Sequence, residues 1–280
     1  MRPTPFLSKG ILGRSIDELK RATHIVANLE AIRGPQGPYV LHTFNDPASV
    51  EECKVMSDAE ISGFSQSHLD WHPASPGNPP PANSASSSTA EAPEPPAGYA
   101  RFHGVISTEL PKSRPEIQRT GYAAFRTPDR KRTLFSRGLW DIDPYTYLAL
   151  RLKSDGRSYF INVQTESIVP TDLHQHRLFA KRPGEWETVL IKWNDFVRTN
   201  HGMPIEPQTE LLRQKVNSVG VGLTDRVPGP FELCIERIWT TNDASEAEVD
   251  NRPEGASFAV GGLKKRSGEN VAWNARGGKK

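Results

Sequence analysis

The residues best placed to do chemistry lie close together in Asp172-Leu-His174-Gln-His176-Arg177, with Lys181 and Arg182 shortly after. In an extended segment alternate side chains share a side, so His174 and His176 would present two imidazoles together. A zinc site asks for a third ligand, and Asp172 is the one near candidate. Histidines facing solvent or satisfied internally fit the same residues. So does a partner contact, in which Arg177 and Arg182 pair with carboxylates. No metal or other cofactor is expected from this pattern.

Other reactive arrangements find less support. Glu166, Glu185 and Glu187 could supply the two carboxylates of a glycosidase, but such pairs occur in any protein. Gly220-Val-Gly222 is no dinucleotide fingerprint, because it sits in a strand pattern and no third glycine opens a helix. Neither Gly-x-Ser-x-Gly nor a phosphate-binding loop is present. The two cysteines, Cys53 and Cys234, make neither a disulfide framework nor a zinc site. Cys234, between Leu233 and Ile235, reads as a packed thiol, and a bridge to Cys53 stays open. Trp140, Trp186, Trp193 and Trp239 could stack on sugars or fill a core. The expectation is a binding protein and not an enzyme.

The elements that must position these residues are strands. Residues 145 to 166 read as two alternating strands joined by Asp155-Gly156, the pair that suits a type I′ turn. A two-residue hairpin would set Leu152 against Tyr159, Leu150 against Ile161 and Leu148 against Val163. Tyr147, Ala149 and Arg151 would then share the opposite face with Phe160, Asn162 and Gln164. Further strands are expected at 39–44, 53–56, 64–71, 99–106, 121–126, 186–193, 216–223 and 231–239. A short helix is expected near Ala48 to Glu52. In 216–223, Val219, Val221 and Leu223 share one side and Gly220 and Gly222 the other, which permits close approach of another group. Many short strands with turns between them indicate an antiparallel sandwich.

Composition sets the limits. The 280 residues carry a net charge of only +2 and are 36% hydrophobic, with 24 prolines and 22 glycines. Global charge therefore selects no partner class, and no basic face with interleaved aromatics points to nucleic acid. Residues 1–38 read as an N-terminal segment whose helix, about 15–31, opens on a Ser15-x-x-Glu18 capping box. It could pack on the sandwich edge or lie on a membrane surface. Arg2, Lys9 and Arg14, with no acid before Asp17, suit a transit peptide, although Pro3 and Pro5 spoil an early helix. A sandwich domain spans 39–242. Its insertion, 73–98, holds eight prolines and is read as a disordered solvent loop. Residues 243–280 read as a mobile tail, and 167–185 as a long loop. No apolar run is long enough to cross a membrane as a helix.

Several ordered motifs resemble the complex I intermediate-associated protein family. They are Ser57-Asp-Ala-Glu-Ile-Ser-Gly63-Phe-Ser65, Trp140-Asp-Ile-Asp-Pro-Tyr-Thr-Tyr-Leu148, Gly156-Arg-Ser-Tyr-Phe-Ile-Asn162-Val-Gln-Thr165, Gly184-Glu-Trp186-Glu-Thr-Val189 and Gly220-Val-Gly222-Leu223. The family usually has a second glycine where Ser62 stands. The resemblance covers about 39 to 242 without the insertion. It implies a galactose-binding-like jelly-roll β-sandwich, all-β. It also implies a non-catalytic, chaperone-like assembly factor for the membrane arm of mitochondrial NADH:ubiquinone oxidoreductase, acting with other assembly factors in the matrix, peripheral to the inner membrane. Tyr147, Asn162, Gln164, His174, His176, Arg177 and Arg182 are the expected partner surface. The alternatives are a carbohydrate-binding sandwich and an extramitochondrial, cytoplasmic relative with another protein cargo.

Overall fold

The computed structural model describes residues 10–27, 35, 37–74, 97–134, 138–167, 169 and 171–247. Thirteen strands among them form two antiparallel sheets. The first sheet runs β3 (Gln66–Pro73), β4 (Gly98–Ile106), β13 (Gly229–Thr241), β6 (Tyr147–Ser154), β9 (Trp186–Lys192), with β1 (Tyr39–Thr43) also paired to β13. The second runs β11 (Met203–Pro204), β10 (Val197–Asn200), β8 (Asp172–Arg177), β7 (Tyr159–Thr165), β12 (Val216–Leu223), β5 (Ala123–Arg126), β2 (Lys54–Ser57). This is the expected all-β antiparallel sandwich with an N-terminal helix, α1 (Ile11–Ala27).

Alternation decides which side of each strand faces the other sheet. Leu148, Leu150 and Leu152 of β6 are fully buried, as are Tyr159, Ile161 and Val163 of β7 and Val219, Val221 and Leu223 of β12. Phe102 of the first sheet meets Phe125 of the second with ring centroids 5.0 Å apart, a tilted aromatic contact across the layers. Truncating any one of these leucines to alanine would cost about 2–5 kcal/mol through lost burial and the cavity left behind.

The expected hairpin does not form. β6 pairs with β13 and β9, β7 pairs with β12 and β8, and the two strands lie in opposite sheets. The apolar residues do face one another, but across the core and not along a ladder. Alternation is identical in the two cases, so it cannot distinguish them. What decides is the connection. Asp155 Oδ2 accepts hydrogen bonds from Glu232 N (2.8 Å) and Tyr159 OH (3.1 Å). Gly156 has φ +90°, while Asp155 is not left-handed as a type I′ turn requires. Arg157 then crosses the end of the sandwich to Asp225, with Nε and Nη2 at 3.0 and 2.7 Å from the two carboxylate oxygens.

A buried carboxylate ties the Ser57–Ser65 motif together. Asp58 is fully buried and accepts from Ser65 N (2.8 Å), Ser65 Oγ (2.9 Å) and Gly121 N (2.5 Å). These bonds pin a 3₁₀ turn, Asp58–Ile61, against the starts of β3 and β5. A Cβ on Gly63 would lie 2.4 Å from Asp58 Cγ, so that position admits only glycine. The short helix α2 (Pro47–Glu51) opens on Asp46, whose Oδ1 accepts from Ser49 N at 2.7 Å, with Pro47 in the first turn.

Other boundaries also move. α1 begins at Ile11, not Ser15. Ser15 lies inside the helix, its hydroxyl donating to Ile11 O (2.7 Å) and accepting from Leu134 N (3.0 Å), so the capping box is not used. Residues 28–31 lie outside those described. The 167–185 segment contains β8, a central strand. Its inward positions carry histidines instead of aliphatic residues, which hid the alternation. β3 and β4 pair out to Pro73 and Gly98, and Ala74 N bonds Ala97 O at 2.9 Å, so the ends of the proline-rich insertion belong to the sheet. Residues 75–96 are outside the described set, as are 248–280. Residues 243–247 are folded: Glu246 accepts from Trp239 Nε1 and Thr241 Oγ1 at 2.5 and 2.7 Å.

Candidate functional site

The outward side of the second sheet gathers more of the expected contact residues than any other surface. Because Tyr159, Ile161 and Val163 point into the core, Phe160, Asn162 and Gln164 point away from it. In register, Arg177 lies opposite Phe160 and Gln175 opposite Asn162 on β8. On the other flank Gly222, Gly220 and Ser218 of β12 lie opposite Phe160, Asn162 and Gln164. Beyond them Ala124 pairs with Gly222 and Arg126 with Gly220 on β5. The centre is therefore a low floor of Gly220, Gly222 and Ala124 beside a ridge of larger side chains.

Hydrogen bonds hold that ridge. Gln175 Nε2 donates to Asn162 Oδ1 at 2.8 Å, and Ser218 Oγ donates to Gln164 Oε1 at 3.3 Å. Arg177 Nη2 donates to Ser158 Oγ at 2.7 Å, and its guanidinium sits 5.5 Å from the Phe179 ring. The Asn162 carboxamide leans over Gly222, diagonal to it: a Cβ at position 222 would lie 2.9 Å from Asn162 Nδ2 and displace it. Carboxamides carry donors and acceptors together, so the face can recognise polar groups of either kind. Among the described residues, no nucleophile–base pair lies on this face.

The seven expected contact residues do not share one surface. Asn162, Gln164 and Arg177 lie on this face. Tyr147 lies on the outward side of the first sheet, opposite Lys192 and Thr241. His174 and His176 turn inward, opposite Val163 and Ile161. Burial holds the His174 imidazole below its ordinary pKa, with the Arg198 guanidinium acting in the same direction. His176 packs against the rings of Phe179 and Phe196, 6.0 and 5.6 Å away. Asp172 is engaged by Arg198 Nη2 at 2.6 Å and Asn200 Nδ2 at 2.8 Å, and these bonds hold its carboxyl below the usual range. No group of three or more His, Cys, Asp or Glu side chains among the described residues is arranged to hold a metal ion.

Arg182 lies in the connection between β8 and β9. Its backbone N–H bonds Glu187 Oε1 at 3.2 Å and its guanidinium is 3.6 Å from Glu185. Glu187, which the sequence offered as a catalytic carboxylate, is buried and accepts the N–H groups of Lys181 and Arg182. It is an anchor for that loop. Trp140, Trp193 and Trp239 are buried, and Trp186 packs edge-on against Tyr99 at 5.3 Å. Cys53 and Cys234 are free thiols. Gln175 and Ser218 belong to the face but were not expected there. The two-residue spacing of Gln175 and Arg177 was the available signal, obscured by the histidines at the inward positions, His174 and His176.

Residues 42–235 match the family described as Complex I intermediate-associated protein 30. A protein of Neurospora crassa, "Complex I intermediate-associated protein 30, mitochondrial", is 57% identical over 280 residues, covering 98% of this chain and 99% of that protein. A protein of the same name from Mus musculus is 27% identical over 263 residues, covering 88% and 71%. Among solved structures, the family 11 carbohydrate-binding module of a Clostridium thermocellum cellulase aligns with a TM-score of 0.46 and 13% identity, over 74% of this chain and 95% of that one. Nothing about a ligand follows from that likeness.

Proposed function

Because the chain belongs to the Complex I intermediate-associated protein 30 family, we propose that it is a non-catalytic assembly factor that binds intermediates of mitochondrial complex I. The observation that carries this reading is the match of residues 42–235 to the family, together with 57% identity over nearly the whole chain to a mitochondrial relative. The finer assignment is to membrane-arm intermediates, held in company with other assembly factors on the matrix side of the inner membrane. A sandwich whose exterior offers hydrogen-bonding side chains on a fixed scaffold, and no reacting pair on its polar face, supports holding over turnover.

The outward face of the second sheet is the proposed grip, with Asn162, Gln164 and Arg177 as contacts and Gln175 as their neighbour. Affinity purification of the tagged chain from mitochondria should recover membrane-arm subunits of complex I. A clean preparation that lacks them would remove the proposal. Arg177→Glu should weaken capture while leaving the unfolding free energy within about 0.5 kcal/mol of the parent, as expected for a surface change. Unchanged capture would move the contact to another face.

A further inference from the structure

The helix α1 is docked the wrong way round for an ordinary amphipathic helix. Its polar side meets the sandwich: Ser15 is buried, Glu18 pairs with Arg130 at 2.5 Å, and Arg21 lies over the Tyr39 ring at 4.0 Å. Its apolar side faces outward. Leu12, Ile16, Leu19 and Val26 fall on one stripe at spacings of four, three and seven, and they are 67%, 53%, 53% and 73% exposed. Leu134, whose N–H bonds Ser15 Oγ, adds a fifth apolar side chain, 61% exposed, beside the stripe. A surface helix normally buries the face that this one presents.

Charge indicates what covers it. Segments 10–27 and 126–134 together carry seven basic and three acidic side chains, whereas the 280-residue chain carries a net charge of only +2. Lys20 and Arg132 are exposed, and Lys131 is shared with Glu52. The apolar side chains offer roughly 500 Å², short of the ~800 Å² per partner of a stable protein interface. A narrow apolar stripe bordered by cations is the pattern of a helix lying in an anionic membrane interface. The stripe is about 21 Å long at 1.5 Å per residue, enough to lie along a surface, and no described helix is long and apolar enough to cross a membrane.

We propose that α1 is a membrane-interface element, its stripe from Leu12 to Val26 entering the headgroup–acyl boundary of an anionic phospholipid bilayer while Lys20 and Arg132 meet the headgroups. This deepens the assembly reading by naming the element that keeps the protein at the membrane. The test uses the purified full chain with vesicles of phosphatidylcholine, with and without phosphatidylglycerol, and contains no complex I subunit, so its failure and the failure of the assembly reading are separable. The chain should float with the anionic vesicles, less so as salt rises. Ile16→Glu/Leu19→Glu should weaken partition roughly 100-fold, about tenfold for each buried side chain lost. Both side chains point outward, so the urea midpoint of the variant should match the parent and report an intact fold. Lys20→Glu/Arg132→Glu should abolish the preference for anionic over neutral vesicles. The proposal is overturned by absence of flotation at low salt, with or without self-association of the chain. It is equally overturned by equal flotation with neutral vesicles or by unchanged flotation of Ile16→Glu/Leu19→Glu.

Discussion

Replacing Arg157 with alanine distinguishes a sandwich in which β6 and β7 lie in opposite layers from one in which they pair directly. The Arg157 guanidinium donates to both oxygens of Asp225, at 3.0 and 2.7 Å, and to the carbonyls of Val227, Pro230 and Gly229 at 2.5, 2.9 and 3.2 Å. The two charged side chains are 14% and 11% exposed. Alanine would leave a desolvated carboxylate without its counter-ion and three carbonyls short of a donor. Breaking a buried ion pair from one side costs about 3–5 kcal/mol, and proximity to the surface places this case near ~3 kcal/mol. In a hairpin, Arg157 would follow an exposed turn, and its loss would cost no more than about 0.5 kcal/mol. For a domain of this size ~3 kcal/mol lowers the melting temperature by roughly 6–12 °C. Urea unfolding followed by tryptophan fluorescence reads the difference directly. Arg157→Ala/Asp225→Ala should cost less than the sum of the single changes, because no orphaned charge remains. A cost below about 0.5 kcal/mol, or strict additivity of the two changes, would refute the account of this connection.

Asp58→Ala should destabilise by about 3 kcal/mol in the same assay, since three donors, Ser65 N, Ser65 Oγ and Gly121 N, lose a buried charged acceptor; a cost under 1 kcal/mol would mean that water replaces the carboxylate. Ser62 occupies the left-handed region at φ 67°, so Ser62→Gly should raise stability by about 0.5–1 kcal/mol once the extra freedom of the unfolded chain is deducted; a loss would show that the serine side chain contributes locally. Burial depresses the pKa values of both His42 and His174 below 6.5 in the folded protein. The unfolded chain therefore takes up protons first, and the stabilisation is complete above pH 6.5 and lost as pH falls toward the folded values. The urea midpoint should fall between pH 7.5 and 5.5, and His42→Gln/His174→Gln should flatten that slope. Burial pushes the Cys53 thiol to about 12 and Cys234 to about 11, so neither should react with iodoacetamide at neutral pH until the chain unfolds. Rapid labelling of the native protein would contradict their environments.

The polar face was half legible. Asn162 and Gln164 could be placed opposite an apolar side from alternation alone, and Gly220 and Gly222 stood out as a strip without side chains on one side of 216–223. His174 and His176 were misplaced for a physical reason. An inward histidine breaks the aliphatic rhythm that marks a strand, so the segment carrying Gln175 and Arg177 looked irregular. Tyr147 was assigned to the wrong company because its neighbours were derived from a ladder that does not exist.

The amino-acid order by itself determined which sides of β6, β7 and β12 are dry and that Gly156 stands in a turn. Those properties depend on neighbours within a few residues. Only the folded chain decided that β6 and β7 face each other across a core, and that α1 turns its apolar stripe outward. Both outcomes depend on contacts between distant residues: Arg157 with Asp225, and Glu18 and Ser15 with the 130–134 segment. A local pattern satisfied equally by two arrangements cannot choose between them, and the long-range ion pairs and hydrogen bonds do.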